Sequence, residues 1–177
     1  MLFTETQLKG AFLVDLQLRE DERGFFARSW CQNEFSEIGL NSDLVQCNIS
    51  FNLKKGTLRG MHYQTEPFPE AKVVRCTMGK IYDVIVDLRP ESPTFKKWIG
   101  VNLSAENRRA LYVPFGFAHG FQTLSDNSEV FYQMSEFYHP ECSTGVRWND
   151  PAFGIEWPLS QQVVISERDL SYTDFVS

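Results

Sequence analysis

Residues 44–53 alternate without a break. Val45, Cys47, Ile49, Phe51 and Leu53 fall on one side of the chain, and Leu44, Gln46, Asn48, Ser50 and Asn52 on the other. A period of two sustained over this length is a β-strand, because a helix would scatter the same side chains around its axis. The pattern also commits the strand to two different environments. The polar side either faces water, the usual arrangement in an antiparallel sheet, or points into a barrel and lines a pocket.

The rest of the chain repeats this character in short pieces. Residues 12–20 and 24–30 read as strands around a charged, glycine-containing turn. Two β-rich runs, 71–78 and 80–89, flank Gly79; in the second, Tyr82, Val84, Val86 and Leu88 oppose Ile81, Asp83, Ile85 and Asp87. Further strands are expected at 96–103, 110–113, 117–124 and 128–138. Only residues 31–40 look helical, with Asn33 placed to cap the start and Gly39 to stop the end. The tail from Asn149 onward should pack over the strands in short segments. Many short strands separated by turn signals predict an all-β antiparallel sandwich or jelly roll in one domain spanning 1–177.

Composition narrows the function. The 177 residues carry a net charge of −6 and no basic run, which argues against nucleic acid as a partner. No apolar run reaches membrane-spanning length and the first residues lack an apolar signal core, so the expectation is a cytoplasmic protein with no membrane partner. Cys31, Cys47, Cys76 and Cys142 form no CxxC pair, and they read as free thiols in a reducing compartment. Fifteen phenylalanines suit a β core or a pocket lined with rings.

The chemistry-bearing residues gather in two glycine-rich stretches. Gly56–Gln64 places Arg59, His62 and Gln64 on one short extended segment, with Lys72 opening the next. His62 is either a core histidine satisfied by one hydrogen bond or a base. A base beside a cation and polar donors can remove a proton next to a carbonyl and stabilise the enolate oxygen. His119 lies in a PxGxxH pattern typical of cupin-type jelly rolls. A metal-binding cupin would add an HxH pair and a Glu, but position 64 is Gln, so the ligand set is incomplete and the site reads as metal-free, without a cofactor. Tyr132 and Tyr138 share parity on one predicted strand and can face one cavity; ordinary aromatic packing is the plainer reading. Asp83 is the odd charge in an apolar strand, and if buried it needs a partner such as a histidine. Asp169 by itself reads as a turn or cap residue, His139 as a surface turn residue, and the cysteines as packing.

Taken in order, these segments resemble the dTDP-4-dehydrorhamnose 3,5-epimerase family. The resemblance is carried by Arg23-Gly24-Phe25-Phe26, Gln46-x-Asn48-x-Ser50, Leu58-Arg59-Gly60-Met61-His62-Tyr63-Gln64, Lys72-x-x-Arg75, Asp83-x-x-x-Asp87-Leu88-Arg89, Ser92-Pro93-Thr94, Pro114-x-Gly116-Phe117-Ala118-His119-Gly120-Phe121, Trp148-Asn149-Asp150-Pro151 and Ile155-x-Trp157-Pro158. Each motif is modest, but the ordered set is specific and runs from about residue 20 to 170.

The resemblance implies a double-stranded β-helix, the cupin-type jelly roll with short helical segments, forming a homodimer that uses no metal and no redox cofactor. It implies epimerisation at C3 and C5, beside the C4 ketone of a nucleotide-diphosphate-linked 4-keto-6-deoxyhexose. The family's general base falls on His62, its orienting aspartate on Asp169 and its acid tyrosine on Tyr132. Its substrate contacts fall on Arg23, Gln46, Asn48, Arg59, Lys72 and His119, and its base-stacking ring on Tyr138. Two departures stand out: Arg28 and Ser143 occupy positions where the family usually has Glu at the nucleotide end, while Arg168 replaces a usual Lys and keeps the charge. A single-position epimerase, or an enzyme for a CDP- or GDP-linked sugar, would share this pattern. A non-catalytic sugar-binding cupin would lose the base or the acid, and a metal cupin oxygenase would need the missing HxH.

Overall fold

The computed structural model describes residues 1–175. Two antiparallel sheets face one another. The larger contains β1 (Leu2–Glu5), β2 (Phe12–Asp15), β10 (Ala110–Val113), β7 (Lys72–Met78), β12 (Ser128–Met134) and β5 (Gln46–Asn52), in that spatial order. The smaller runs β13 (Ser143–Gly145), β6 (Leu58–Gln64), β11 (Phe117–Thr123), β8 (Lys80–Asp87) and β9 (Trp98–Ser104). A separate hairpin pairs β3 (Arg19–Asp21) with β4 (Gly24–Phe26). The helices are short: α1 (Gln32–Glu37) and α2 (Glu167–Leu170). This is the all-β jelly roll expected from the strand pattern.

Period-two alternation sorts each strand between layers. Val74, Cys76, Ile81, Ile85, Phe117, Phe121 and Val130 fill the space between the sheets. The opposite parity of the smaller sheet, with Leu58, Val84, Val86 and Ala118, packs under Val146, Phe153 and Trp157 from the tail. Outside the larger sheet, Val14, Val73, Ala110 and Tyr112 pack against Phe35 of α1 and the partly buried Phe3 and Trp30. Each layer removes apolar area from water, which is the main favourable contribution to folding.

Among the described residues the β5 end of the larger sheet lacks such a cover. Ile49 is 64% exposed, Phe51 45% and Leu53 70%. The polar side is the one turned inward: Asn52 is buried, and Gln46, Asn48 and Ser50 line the cavity described below. The usual water-facing polar side of an antiparallel strand therefore does not apply to β5.

Several boundaries differ from the sequence expectation. The run 12–20 is two strands, because β2 is held between β1 and β10 whereas Arg19–Asp21 leaves the sheet to pair with Gly24–Phe26. Residues 27–30 are not strand. The helix starts two residues earlier than an Asn33 cap requires. Cys31 occupies the N-cap with no side-chain cap bond, and the first turn is tied down through Glu34, which accepts from the Met1 ammonium at 2.5 Å and from Arg28 at 2.8 Å. Gly39 follows the helix with φ +77, in keeping with a stop. The strand predicted over 128–138 ends at Met134, the last residue with partners on both sides, Lys72 and Gln46. Tyr138 thus lies beyond the strand, and shared strand parity does not describe its relation to Tyr132.

Candidate active site

Arg59 and His62 are three residues apart, so a regular strand would point them to opposite faces. A bulge resolves this. His119 is the register partner of His62 while Phe121 is that of Arg59, so β6 spends one more residue than β11 over the same stretch. Gly60 takes up the irregularity at φ +130, and a Cβ there would lie 2.6 Å from the Gly120 Cα. Arg59, His62 and Gln64 consequently all line one cavity of about 540 Å³.

His62 is oriented from the far end of the chain. Its Nε2 lies 2.7 Å from Asp169 Oδ1, and Oδ2 accepts the Gly60 N–H at 3.2 Å. Asp169 sits in α2, whose start is capped by the Ser166 hydroxyl accepting from the Asp169 N–H. The segment before α2 is anchored to β6 by the parallel bridge Thr57↔Val164. Burial pushes the Asp169 carboxyl up, but the His62 hydrogen bond and charge together with the Gly60 N–H outweigh it and hold the group below the usual carboxylate range. With Nε2 engaged by a carboxylate, Nδ1 is the nitrogen left to accept a proton.

A second pair of the same construction stands beside the first. His119 Nε2 lies 2.8 Å from Asp83 Oδ1, and Asp83 is fully buried between the sheets. Lys72 opens β7 and forms an ion pair with Glu70, both side chains being under one tenth exposed. Tyr132 lies on β12 opposite Val74 and Asn48. Burial pushes its phenol up, the Glu70 charge adds to this, and Arg59 opposes it. Tyr132 is therefore kept protonated, as a proton donor must be.

The polar wall comes from β5. Gln46 Nε2 donates to Asn48 Oδ1 at 3.3 Å, and Gln46 Oε1 accepts the Tyr138 N–H at 3.1 Å. Arg59 Nε donates to Asn52 Oδ1 at 2.8 Å. At the other end Tyr138, Ser143 and Arg168 line the same cavity, and Arg168 Nη2 donates to Ser143 Oγ at 3.1 Å. The Tyr138 and Tyr172 hydroxyls raise the Arg168 guanidinium further above its ordinary value. His62, His119 and Lys72 each have a carboxylate partner. Among the described residues Arg59 and Arg168 have none within ion-pair distance, so the cavity presents two uncompensated guanidinium groups to an anion.

Arg23, an expected substrate contact, and Arg28, a departure expected at the nucleotide end, lie elsewhere in the chain. Arg23 is in the exposed β3–β4 hairpin, its side chain 84% exposed and paired with Asp21. Arg28 pairs with Glu34 and lines a small separate cavity of about 130 Å³. Gln64 lines the main cavity, but its amide is committed to the backbone: Nε2 donates to Phe68 O and Phe137 O, and Oε1 accepts from the His139 N–H at 2.7 Å. It holds the loop that carries Tyr138. His139, read as a surface turn residue, stacks on Phe68 with ring centroids 3.7 Å apart. Glu70 was not foreseen; a carboxylate two residues before Lys72 has no spacing signature of its own. Among the described residues no cluster of three or more His, Cys, Asp or Glu side chains is arranged to hold a metal ion.

A family model described as dTDP-4-dehydrorhamnose 3,5-epimerase matches residues 5–176. The chain belongs to this family. A dTDP-4-dehydrorhamnose 3,5-epimerase from Shigella flexneri is 45% identical over 173 residues, spanning 97% of this chain and 94% of that protein. The crystal structure of the enzyme of that name from Elizabethkingia anophelis matches with a TM-score of 0.96 at 40% identity, covering 99% of this chain and 96% of that one. That from Bacillus anthracis, with TDP and PPi bound, matches at 0.94 and 41% identity over 98% and 99% of the two chains. At one end of the cavity of this dTDP-4-dehydrorhamnose 3,5-epimerase family member, the Ser143 hydroxyl accepts from Arg168.

Proposed function

We propose that this chain inverts C3 and C5 of a dTDP-linked 4-keto-6-deoxyhexose, converting dTDP-4-dehydro-6-deoxy-D-glucose to dTDP-4-dehydro-L-rhamnose. The observation that carries the reading is the His62–Asp169 pair and Tyr132 lining one cavity with Lys72 and His119. His62 Nδ1 takes the proton from the carbon beside the ketone, and the electron pair of the broken C–H bond moves onto the C4 oxygen. Lys72 and His119 stabilise that oxyanion. Tyr132 O–H then delivers a proton to the opposite face of the same carbon, and the configuration inverts. Both carbons flank one ketone, so one oxyanion site serves both events. Arg59 and Arg168 supply positive charge for the diphosphate end, and Tyr138 offers a ring to the base.

A homodimer completes this reading. Ile49, Phe51 and Leu53 form an apolar strip on β5 that the described residues leave open, and Phe25 and Phe26 on the hairpin are 44% and 70% exposed. A second copy seated on the strip would bury it and bring Arg23 toward the neighbouring cavity, since Arg23 is remote from its own. With all four cysteines free and no helix long and apolar enough to cross a membrane among the described residues, the enzyme is assigned to the cytoplasm.

The test is NMR of dTDP-4-dehydro-6-deoxy-D-glucose in D2O with the purified protein. Deuterium is expected at both C3 and C5. Uptake at one carbon only would make this a single-position epimerase, and no uptake with retained binding would make it a sugar-binding cupin. Ile49→Asp should shift the protein to the monomer in sedimentation; an unchanged size would reject the β5 strip as the contact.

A further inference from the structure

Asp83 and Asp169 each accept from a histidine Nε2, but the two carboxylates are otherwise unlike. Asp169 shares its charge, because Oδ2 also receives the Gly60 N–H. His62 keeps 37% of its side chain exposed. Asp83 is 0% exposed, on the parity of β8 that it shares with Ile81 and Ile85. Its Oδ2 is sealed from solvent and, among the described residues, meets no donor. His119 Nε2, at 2.8 Å, is the one side-chain donor that Asp83 has among the described residues. A buried carboxylate facing only a neutral ring would be a charge without compensation, which is strongly unfavourable. A second proton on the ring turns the contact into an ion pair.

With Nε2 committed inward, Nδ1 is the nitrogen that His119 has left for the cavity it lines. In a neutral ring that atom is a lone pair, which would repel a forming oxyanion. In the imidazolium it is a charged donor, the kind of group an oxyanion needs. The two histidines are register partners on neighbouring strands, so the same two-residue construction is used twice side by side. The other titratable or charged side chains lining this cavity are Arg59, Tyr63, Glu70, Lys72, Tyr132, Tyr138 and Arg168. Of these the nearest carboxylate, Glu70, is already engaged by Lys72.

We propose that Asp83 is a positioning residue that keeps His119 doubly protonated, so that His119 serves as a cationic hydrogen-bond donor while its neighbour His62 stays neutral and serves as the base. The proposal rests on the epimerase reading for its functional consequence, but its physical content concerns the ligand-free protein. Asp83 acts through His119 and does not touch the substrate.

The test uses the full chain with 15N-labelled histidine. Long-range 1H–15N spectra near neutral pH should show both ring nitrogens of His119 protonated and one nitrogen of His62 unprotonated. A neutral-ring pattern for His119 in the wild-type protein overturns the proposal, whatever any variant does. In Asp83→Asn the His119 signals should change to the neutral pattern while those of His62 stay. In the D2O exchange assay this variant should lose about tenfold to a thousandfold in kcat with KM little changed, as for removal of one oxyanion donor, and Asp83→Glu should recover part of the loss. An equal effect on KM, or no loss in kcat, rejects the assignment. If the wild-type enzyme exchanges no proton of the 4-keto sugar, the epimerase reading falls, while the His119 spectrum still decides the protonation claim.

Discussion

Asp169→Asn removes one charge and almost no volume, which makes it the sharpest probe of the base. The wild-type carboxylate accepts from His62 Nε2 at 2.7 Å with its side chain 6% exposed. A hydrogen bond to a charged group in such a setting contributes about 1.5–3 kcal/mol, which by itself corresponds to roughly 10- to 150-fold in rate. The amide adds a second penalty. Its NH2 can donate to Nε2, which drives the imidazole proton onto Nδ1, the atom that must be free to accept. The expected loss in kcat for C–H exchange is therefore about 10²- to 10⁴-fold, the range for a general base put out of action. Binding should be nearly unchanged, since Asp169 reaches the substrate only through His62. The assay is deuterium uptake at C3 and C5 followed by NMR, with Kd measured separately by titration. The same group makes a stability prediction. Its folded carboxyl is held below the ordinary range, so its stabilisation is complete above the unfolded value and is lost as pH falls through the folded one. The difference in Tm between wild type and variant should accordingly be full at neutral pH and shrink below about pH 4. Exchange within about threefold of wild type, under 1 kcal/mol of barrier, would refute the dyad.

Three further outcomes follow from the geometry. Tyr132→Phe keeps the ring and removes the donor, so inverted product should fall by about 10²-fold or more while deuterium washed into recovered substrate falls less; parallel losses would remove Tyr132 from the role of opposite-face acid. Glu70→Gln deletes a charge that adds to burial in raising the Tyr132 phenol, so the alkaline limb of the kcat profile should move to lower pH; an unmoved or raised limb contradicts this. Gly60→Ala forces a side chain onto φ +130 and against Gly120, and should cost about 2 kcal/mol or more in denaturant unfolding together with exchange activity; an unaltered midpoint would show that the bulge tolerates a Cβ.

How much of this was legible in the sequence follows from the range of the interactions involved. The strand at 44–53 announced itself because alternation is a local property. Which of its sides faces the cavity did not, since that depends on β12 lying on one edge and on nothing among the described residues covering Ile49 and Phe51. Arg59, His62 and Gln64 were visible as a cluster of residue types, but their common direction rests on a bulge fixed by pairing with β11. The partner of Asp83 was anticipated in kind because a buried carboxylate demands one; its identity required the β8–β11 register. Asp169, read alone, was a turn residue, and only the resemblance assigned it to His62, since 107 residues of chain separate the two. Glu70 and the structural duty of Gln64 gave no signal, as both depend on a loop folding back under Lys72 and Tyr138.

The extra residue in β6 has a further consequence for what this chain can become. Between Arg59 and His62 the backbone counts three steps where its neighbour counts two. Substitution at Met61 would alter packing in the outer core, but deletion of one residue would rotate every side chain on one flank of the gap by half a turn. Either Arg59 or His62 would then be buried among Val84, Val86 and Trp157 instead of facing the substrate. The segment is thus open to changes of spelling and closed to changes of length, and among homologues gaps should accumulate in the loops and be absent between positions 58 and 64.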